Sequence, residues 1–509
     1  MTHHDDPIVE EEFGSAVAGV SSEEALTVRT ARGAAWTGIA QLIAQPLTIL
    51  VGVALARLLS PADFGLTGMA AIYLGLVGLV NEFGLTSAVI QAPDLSEERL
   101  SSIFWLNMAI GLVSALFVAA SSLPLAAYFH EPRLKQIVLV LSLSFLLASV
   151  PAIHSALLNR RMQFRALAAF QLAGTVLGSV MSVGMAFAGA GVWSLVVPGM
   201  VAGTLPSVLI WRHADWTPRL EFRWDECRSL AKFGASVTGS GLFNYGYTNT
   251  DYLVVGRQFG AGVLGAYTLA YNLVMFPFRK VSQTLSAAIF PAFSSVQNDI
   301  ERMARAYLRT SRWLAILTWA PLAAAAVLGH QLIVGLYGPK WAAAVVPFQI
   351  LCLAGAQRSV GTIVGVVMRS RGRPDIELRW SMTAFGLLLV SVLFAARWGV
   401  TGVAVAVVIT ALGLAPFIQA SALKMIRTPF STYLLELAPG AVLGLVSAVV
   451  ALACRLSLGF LPDLVLAAIG LSTAMLAALC VAYFGWRNDV QEIASLARQV
   501  VRRRQADPA

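Results

Sequence analysis

The sequence predicts an all-α, polytopic membrane protein with about fourteen transmembrane helices. Three observations carry this. Apolar stretches of roughly twenty or more residues, long enough to cross a bilayer core as a helix, follow one another from Ala31 almost to the C-terminus. The composition, 57% hydrophobic and 12% charged with a mean hydropathy of +0.73, is far from that of a soluble globular domain. The cations also alternate by position: 26 of the 36 Lys and Arg residues fall in one set of breaks, 7 in the alternate set and 3 within spans. Cations accumulate on the cytoplasmic side of a membrane, so this asymmetry predicts an even number of spans with both termini cytoplasmic.

Residues 1–28 carry His3, His4, Asp5, Asp6 and Glu10, Glu11, Glu12 with few large apolar groups, and read as a disordered acidic cytoplasmic leader. The predicted spans then run about 31–56, 64–91, 102–129, 136–158, 166–190, 192–211, 233–256, 263–292, 313–336, 343–368, 378–396, 400–423, 431–453 and 463–486. Breaks such as Leu59-Ser60-Pro61-Ala62-Asp63 and Arg371-Gly372-Arg373-Pro374 are turn chemistry. Pro46, Pro277 and Pro321 lie inside spans, where neighbouring helices and waters can satisfy the freed carbonyl. The organisation that follows is a leader at 1–28, a six-helix bundle at 29–212, a cytoplasmic linker at 213–232, a second six-helix bundle at 233–424, two further helices at 425–486 and a basic tail at 487–509. In the tail, Val490, Ile493, Ala494, Ala497, Val500 and Val501 recur at helical spacing beside Arg498 and Arg502-Arg503-Arg504. An amphipathic helix on the inner leaflet and a frayed basic end both fit that pattern.

Two short echoes relate the halves. Arg57-Leu58-Leu59-Ser60-Pro61-Ala62-Asp63-Phe64-Gly65 joins spans one and two, and Arg257-Gln258-Phe259-Gly260-Ala261-Gly262-Val263-Leu264-Gly265 joins spans seven and eight with the same Arg-to-Gly spacing. Ala156-Leu157-Leu158-Asn159-Arg160-Arg161 ends span four, and Val366-Val367-Met368-Arg369-Ser370-Arg371 ends span ten. Parallel repeats of this kind predict two bundles related by an axis along the membrane normal, with a site between them. Spans thirteen and fourteen fall outside the repeat.

The stretch Phe259-Gly260-Ala261-Gly262-Val263-Leu264-Gly265-Ala266-Tyr267-Thr268-Leu269-Ala270-Tyr271-Asn272 resembles the signature of bacterial polysaccharide flippases. So do Phe290-Pro291-Ala292-Phe293 with Gln297-Asn298-Asp299, Tyr337-Gly338-Pro339-Lys340-Trp341, and Leu351-Cys352 with Arg358-Ser359-Val360-Gly361. The family belongs to the multidrug/oligosaccharidyl-lipid/polysaccharide exporter superfamily, and the branch most similar is the one containing the colanic acid exporter. The resemblance runs from about Arg29 to Trp486 and leaves out the acidic leader. It implies a V-shaped, alternating-access transporter that flips undecaprenyl-diphosphate-linked oligosaccharide repeat units across the bacterial inner membrane for exopolysaccharide or lipopolysaccharide assembly. The partners it implies are the lipid-linked oligosaccharide, membrane lipids and other polysaccharide assembly proteins.

An ionisable side chain at the bilayer centre costs about 2.5–3.5 kcal/mol on insertion scales, so each one there asks for a reason. Arg358 sits midway along span ten, too deep to snorkel, and Arg279 and Lys280 follow Pro277 inside span eight. Arginine forks onto phosphate oxygens and lysine supplies a compact cation, the chemistry that a lipid diphosphate needs in a water-filled cleft. Structural pairing or snorkelling is the competing reading for Arg279 and Lys280, and structural pairing for Arg358. The most polar stretch within any span is Asn244-Tyr245-Gly246-Tyr247-Thr248-Asn249-Thr250-Asp251-Tyr252 in span seven. Asn244, Tyr247 and Asn249 are its candidates for contacting sugars, against an interfacial aromatic belt as the alternative. Asp251, and Glu82 in span two, are candidates for coupling to a cation or proton, or for neutralising neighbouring bases; pairing fits Glu82 better. His154 reads as a helix-packing residue, and Glu436 as reaching the interface.

Other functions lack their residues. No G-x-x-x-x-G-K-[ST] or H-E-x-x-H stretch occurs, and Cys227, Cys352, Cys454 and Cys480 have no metal spacing, so no cofactor or metal is expected. The basic residues are scattered over short breaks and do not form a nucleic-acid footprint. No break is long enough for a folded catalytic domain, which makes a membrane polymerase or ligase the weakest alternative and argues against an enzyme. A drug/cation antiporter of the same superfamily is the stronger alternative, but its cleft would favour carboxylates over deep cations.

Overall fold

The computed structural model describes residues 36–81, 96–295 and 299–489, with 491, 492 and 495; within these ranges the side chains of 80–81, 225–240, 276–295 and 374 are not described. The acidic leader, Glu82 and most of the amphipathic tail lie outside the described residues. Those described form helices, with no strand among them. In chain order they are α1 (Trp36–Leu58), α2 (Pro61–Asn81), α3 (Glu97–Ala120), α4 (Ser122–Phe129), α5 (Arg133–Ser149), α6 (Ala152–Arg160), α7 (Phe164–Phe187) and α8 (Trp193–His213). Then follow α9 (Trp224–Ser295), α10 (Ile300–Val327), α11 (Gly329–Tyr337), α12 (Val345–Ser370), α13 (Pro374–Ala395), α14 (Gly399–Met425), α15 (Phe430–Ser457) and α16 (Asp463–Gly485).

The helices start where their sequences allow it. Ser96 caps α3 by accepting from the Arg99 N–H at 3.2 Å, with Glu97 and Glu98 in the first turn beside the positive end of the helix. Asp299 caps α10 through the Arg302 N–H at 3.0 Å. Pro374 opens α13, where its missing N–H costs nothing.

Among the described residues, ten helices are long and apolar enough to cross a membrane, or eleven if the bent pair α10–α11 is one span. That is short of the roughly fourteen that hydropathy predicts. The ten do not include α9, parts of which lie outside the described side chains, and elsewhere spans run together. At 72 residues α9 would extend about 108 Å if straight, several bilayer cores, and it turns at Gly260, whose φ of 78° and ψ of −179° leave the helical region. The stretch Asp375–Met425 counts once although a 3-10 turn at Ala396–Trp398 divides it, and α10 and α11 meet at 76°.

Both sequence echoes have structural counterparts. After α6 the Gln163 N–H returns to the Leu158 carbonyl and Met162 N–H to Asn159, with Met162 at φ 56°. After α12, at the matching positions, Arg373 N–H returns to Met368 and Gly372 N–H to Arg369, with Gly372 at φ 67°. Both are left-handed caps that absorb the last carbonyls of a helix. The first echo is reciprocal: a Cβ on Gly65 would fall on the Ala261 carbonyl oxygen, and one on Gly265 would fall on the Pro61 carbonyl oxygen. Equivalent residues of the two halves thus meet across a local two-fold, which only glycine permits at this approach.

Around that contact α2 packs on α9, while α7 pairs with α8, α10 with α15, α12 with α14, and α15 with α16. Small residues set the α7–α8 spacing, since Gly174 and Gly178 lie against Ala202 and Pro206. One large apolar core joins α2, α5, α9, α11 and α12, and includes Leu66, Met69, Tyr267 and Trp341. At one end the halves are tied by cations on backbone carbonyls. Arg57 donates to Gly335 and Leu336 at 2.7 Å each, Lys340 donates to Arg57 at 2.7 Å and Leu59 at 2.6 Å, and the Trp341 indole donates to Ala56 at 2.8 Å. At the arginine-rich end cations meet carboxylates instead, as in Arg223–Glu98 and Arg369–Glu377 at 2.9 Å each, and Arg312–Glu436 at 3.2 Å.

Candidate functional site

The polar stretch of the seventh predicted span forms the first arm of α9. Its hydroxyls and amides first satisfy the helix itself: Thr248 donates to the Asn244 carbonyl at 2.9 Å, Thr250 to a Gly246 carbonyl at 2.6 Å, and Asn249 to Tyr245 at 2.9 Å. Helical periodicity then sorts the rings. Tyr245 turns away, donating to the Ile72 carbonyl of α2 at 2.7 Å, while Asn244, Tyr247 and Asn249 line a cavity of about 460 Å³.

The cavity is closed by Tyr271 and Met275 from the second arm of α9, Gln357, Arg358 and Thr362 from α12, and Ile418 and Gln419 from α14. All of these belong to the second half of the chain. Next to this cavity α2 packs on α9 through contacts such as Tyr245 against Gly75.

Arg358 is the centre of this cavity. Its Nη1 donates to the Tyr271 hydroxyl, and its guanidinium carbon stands 5.6 Å from the Tyr247 ring centroid and 5.5 Å from that of Tyr271. Two tyrosine faces thus stabilise a cation that hydrocarbon would reject. A buried carboxylate lies behind them: Asp251 is 2% exposed and accepts a 2.7 Å hydrogen bond from Tyr267. Tyr252 packs edge-on against both Tyr267 and Tyr271, at 5.6 and 5.1 Å, joining the Asp251 and Arg358 ends of the cluster. Asp251 itself does not line the cavity. Arginine carries five donors, and only Nη1 has a hydrogen bond among the described contacts, so donors remain for an anion.

A second recess, of about 310 Å³, adjoins the first. Leu353 and Val360 of α12, Leu412 of α14, Trp319 of α10, and Phe430, Tyr433 and Leu437 of α15 make its wall almost wholly apolar. Gln357, Ala415 and Gln419 line both spaces.

Of the expected site residues, the structure brings together Arg358, Asn244, Tyr247 and Asn249, and sets Asp251 behind them. Arg279 and Lys280 lie on the helical second arm of α9, but their side chains, like all of Glu82, are outside the described set. His154 is fully buried against Trp211, Trp216 and Phe104, with ring centroids at 4.1, 5.2 and 6.2 Å, a packing environment. Sequence reasoning singled out neither Tyr271 nor Gln419. A signal existed for both: Tyr267 and Tyr271 are spaced by four in an apolar span, and Gln419 is a lone amide after Ala415-Pro416-Phe417-Ile418.

A sequence model of the family described as "Polysaccharide biosynthesis protein" matches residues 54–346. The lipopolysaccharide biosynthesis protein WzxC of Escherichia coli is 26% identical over 363 residues, covering 70% of this chain and 73% of that protein. The succinoglycan biosynthesis transport protein ExoT of Rhizobium meliloti is 27% identical over 311 residues, 61% of this chain and 63% of its own length. Among solved structures, the lipid II flippase MurJ in an inward closed conformation superposes with a TM-score of 0.72, covering 89% of this chain and 99% of that one at 13% identity. At that identity the likeness is one of fold.

Proposed function

We propose a transport function from one premise: this chain belongs to the polysaccharide biosynthesis protein family, whose model spans residues 54–346 of its 509. It is a multi-pass protein of the bacterial inner membrane and flips lipid-linked oligosaccharide repeat units for export. It is a transporter, not an enzyme. The observation that carries the site assignment is Arg358, an arginine caged by Tyr247 and Tyr271 inside apolar helices and open to a cavity of about 460 Å³. Its role is to take the diphosphate, the part common to every lipid-linked repeat unit, by forked donation to phosphate oxygens. Asn244, Tyr247 and Asn249 offer amide and ring surfaces to the sugars. Arg279 and Lys280 are assigned with Arg358 to the diphosphate from the sequence, as deep cations that follow Pro277. Asp251 is assigned to ion coupling, and the first apolar turns of α15, which wall the adjoining recess, to holding the isoprenoid tail.

The drug/cation antiporter reading needs an anion in the cavity, whereas among the described residues the charge lining it is a cation and the nearby carboxylate is turned to Tyr267. Purified protein in vesicles, given a labelled undecaprenyl-diphosphate oligosaccharide and separately a cationic dye, separates the two. Flipping without dye efflux is expected; dye efflux without flipping overturns the assignment.

Both termini are assigned to the cytoplasm from the distribution of arginines. Reporter fusions after Lys232 and after Arg455 are expected to report opposite sides of the membrane. The same side for both would break this topology.

A further inference from the structure

The cationic cavity and the apolar recess share a threshold, and one buried amide stands on it. Gln419 of α14 is 3% exposed and lines both spaces. Its Oε1 accepts the hydroxyl hydrogen of Tyr307, a fully buried residue of α10 whose ring lies 6.1 Å from that of Tyr433 in the wall of the recess. That bond orients the amide: with the carbonyl oxygen committed to Tyr307, the Nε2 group and its two hydrogens occupy the opposite edge. An amide held in this way, at the border of an almost wholly apolar wall, loses hydration unless a polar partner meets it. A cargo whose polar and apolar parts join at that border would supply one.

We propose that Gln419, held by Tyr307, is a positioning residue that recognises the joint between phosphate and lipid in the cargo. In this arrangement Arg358 takes the diphosphate from the cavity side. The Gln419 amide donates to an oxygen of the phosphate esterified to the polyprenol, and the tail runs into the recess between Trp319, Leu353 and Leu437. The register matters for transport: with the joint pinned at the border, the sugars stand against Asn244 and Tyr247, whatever their identity. Recognition of the joint also links two weak contacts, so that phosphate and tail held together bind far better than either alone. The inference rests on the reading of the cargo as a lipid-linked diphosphate.

The test uses purified full-length protein in lipid nanodiscs and three probes: undecaprenyl diphosphate, undecaprenol and inorganic diphosphate. In Gln419→Met, which keeps the volume and removes the donor, binding of undecaprenyl diphosphate is expected to weaken about tenfold, the loss of one charge-assisted hydrogen bond. Undecaprenol and inorganic diphosphate should each stay within about threefold, because neither contains the joint. Tyr307→Phe, which keeps the amide but frees its orientation, should show a smaller loss of the same pattern. The double variant Tyr307→Phe/Gln419→Met leaves no orphaned hydroxyl and should match Gln419→Met, which guards against a folding defect. Unchanged binding of undecaprenyl diphosphate in Gln419→Met, or equal weakening of all three probes, overturns the proposal. Failure of the cargo assignment reads differently: Arg358→Ala would then bind both diphosphate probes as the parent does.

Discussion

The two repeated halves of this molecule share their frame and differ in what they hold inside. Each ends a helix with the same left-handed cap, at Met162 in one and Gly372 in the other, and each contributes one glycine to the reciprocal contact of Gly65 with Ala261 and Gly265 with Pro61. The interiors then diverge. Among the described residues of the first half the buried polar side chains are hydroxyls, Asn107 and the aromatic-ringed His154, and small residues let α7 and α8 approach closely. In the second half a carboxylate, Asp251, is buried behind a tyrosine cluster that holds Arg358 at a cavity. The matching contacts form a scaffold that closes on itself, and among the described residues the buried carboxylate and the cation at the cavity both lie in the second half. The cavity that exposes Arg358 is lined by residues of the second half.

The largest expected effect breaks the second half alone. Arg358→Ala should abolish surface polymer while leaving wild-type levels of inserted protein, whereas Arg397→Ala should be silent. Arg397 is exposed at a helix end and lies 4.6 Å over the Phe394 ring, where water already serves it. Normal export from an Arg358→Ala strain at wild-type protein level would remove the distinction between the halves.

The shared frame is probed by a graded glycine series. Gly65→Ala and Gly265→Ala each drive a Cβ into a backbone carbonyl that has no rotamer to yield, and each should cost about 3 kcal/mol or more, with similar losses because the contacts are reciprocal. Gly260→Ala meets open space but must hold φ near 78° with ψ near 180°, a region nearly reserved for glycine, so about 1–3 kcal/mol is expected. Gly262→Ala, with neither a close neighbour nor a positive φ, should be neutral. Thermal unfolding in detergent orders the four. Unequal losses at Gly65 and Gly265 would show that the two echoes are not equivalent.

Much of this was legible in the sequence. Hydropathy placed several helices to within a few residues, as for Phe164–Phe187 against the expected 166–190, and missed the start of Ile300–Val327, expected at 313. The echoes announced the repeat, and a lone arginine in an apolar span announced Arg358. Helix boundaries were harder, because α9 runs on through a kink at Gly260 and a 3-10 turn at Ala396–Trp398 joins neighbouring rods, and neither is a hydropathy signal. The cavity partners were harder still. Tyr271 and Gln419 acquire their roles from residues 87 and 112 positions away, Arg358 and Tyr307, and a side chain's partner across helices leaves no mark in its own neighbourhood of sequence.

The sequence by itself determined that this chain lives in a bilayer, repeats itself, and carries a cation where hydrocarbon forbids one. These are consequences of transfer free energies and spacing, which are local and add along the chain. Only the tertiary structure decided that Tyr247 and Tyr271 cage that cation, that Tyr245 turns to α2, and that an amide held by Tyr307 stands between a polar cavity and an apolar recess. Those outcomes depend on which helix faces pack together. Packing is a property of pairs of surfaces distant in sequence, fixed by shape and by the need to satisfy every buried polar group at once.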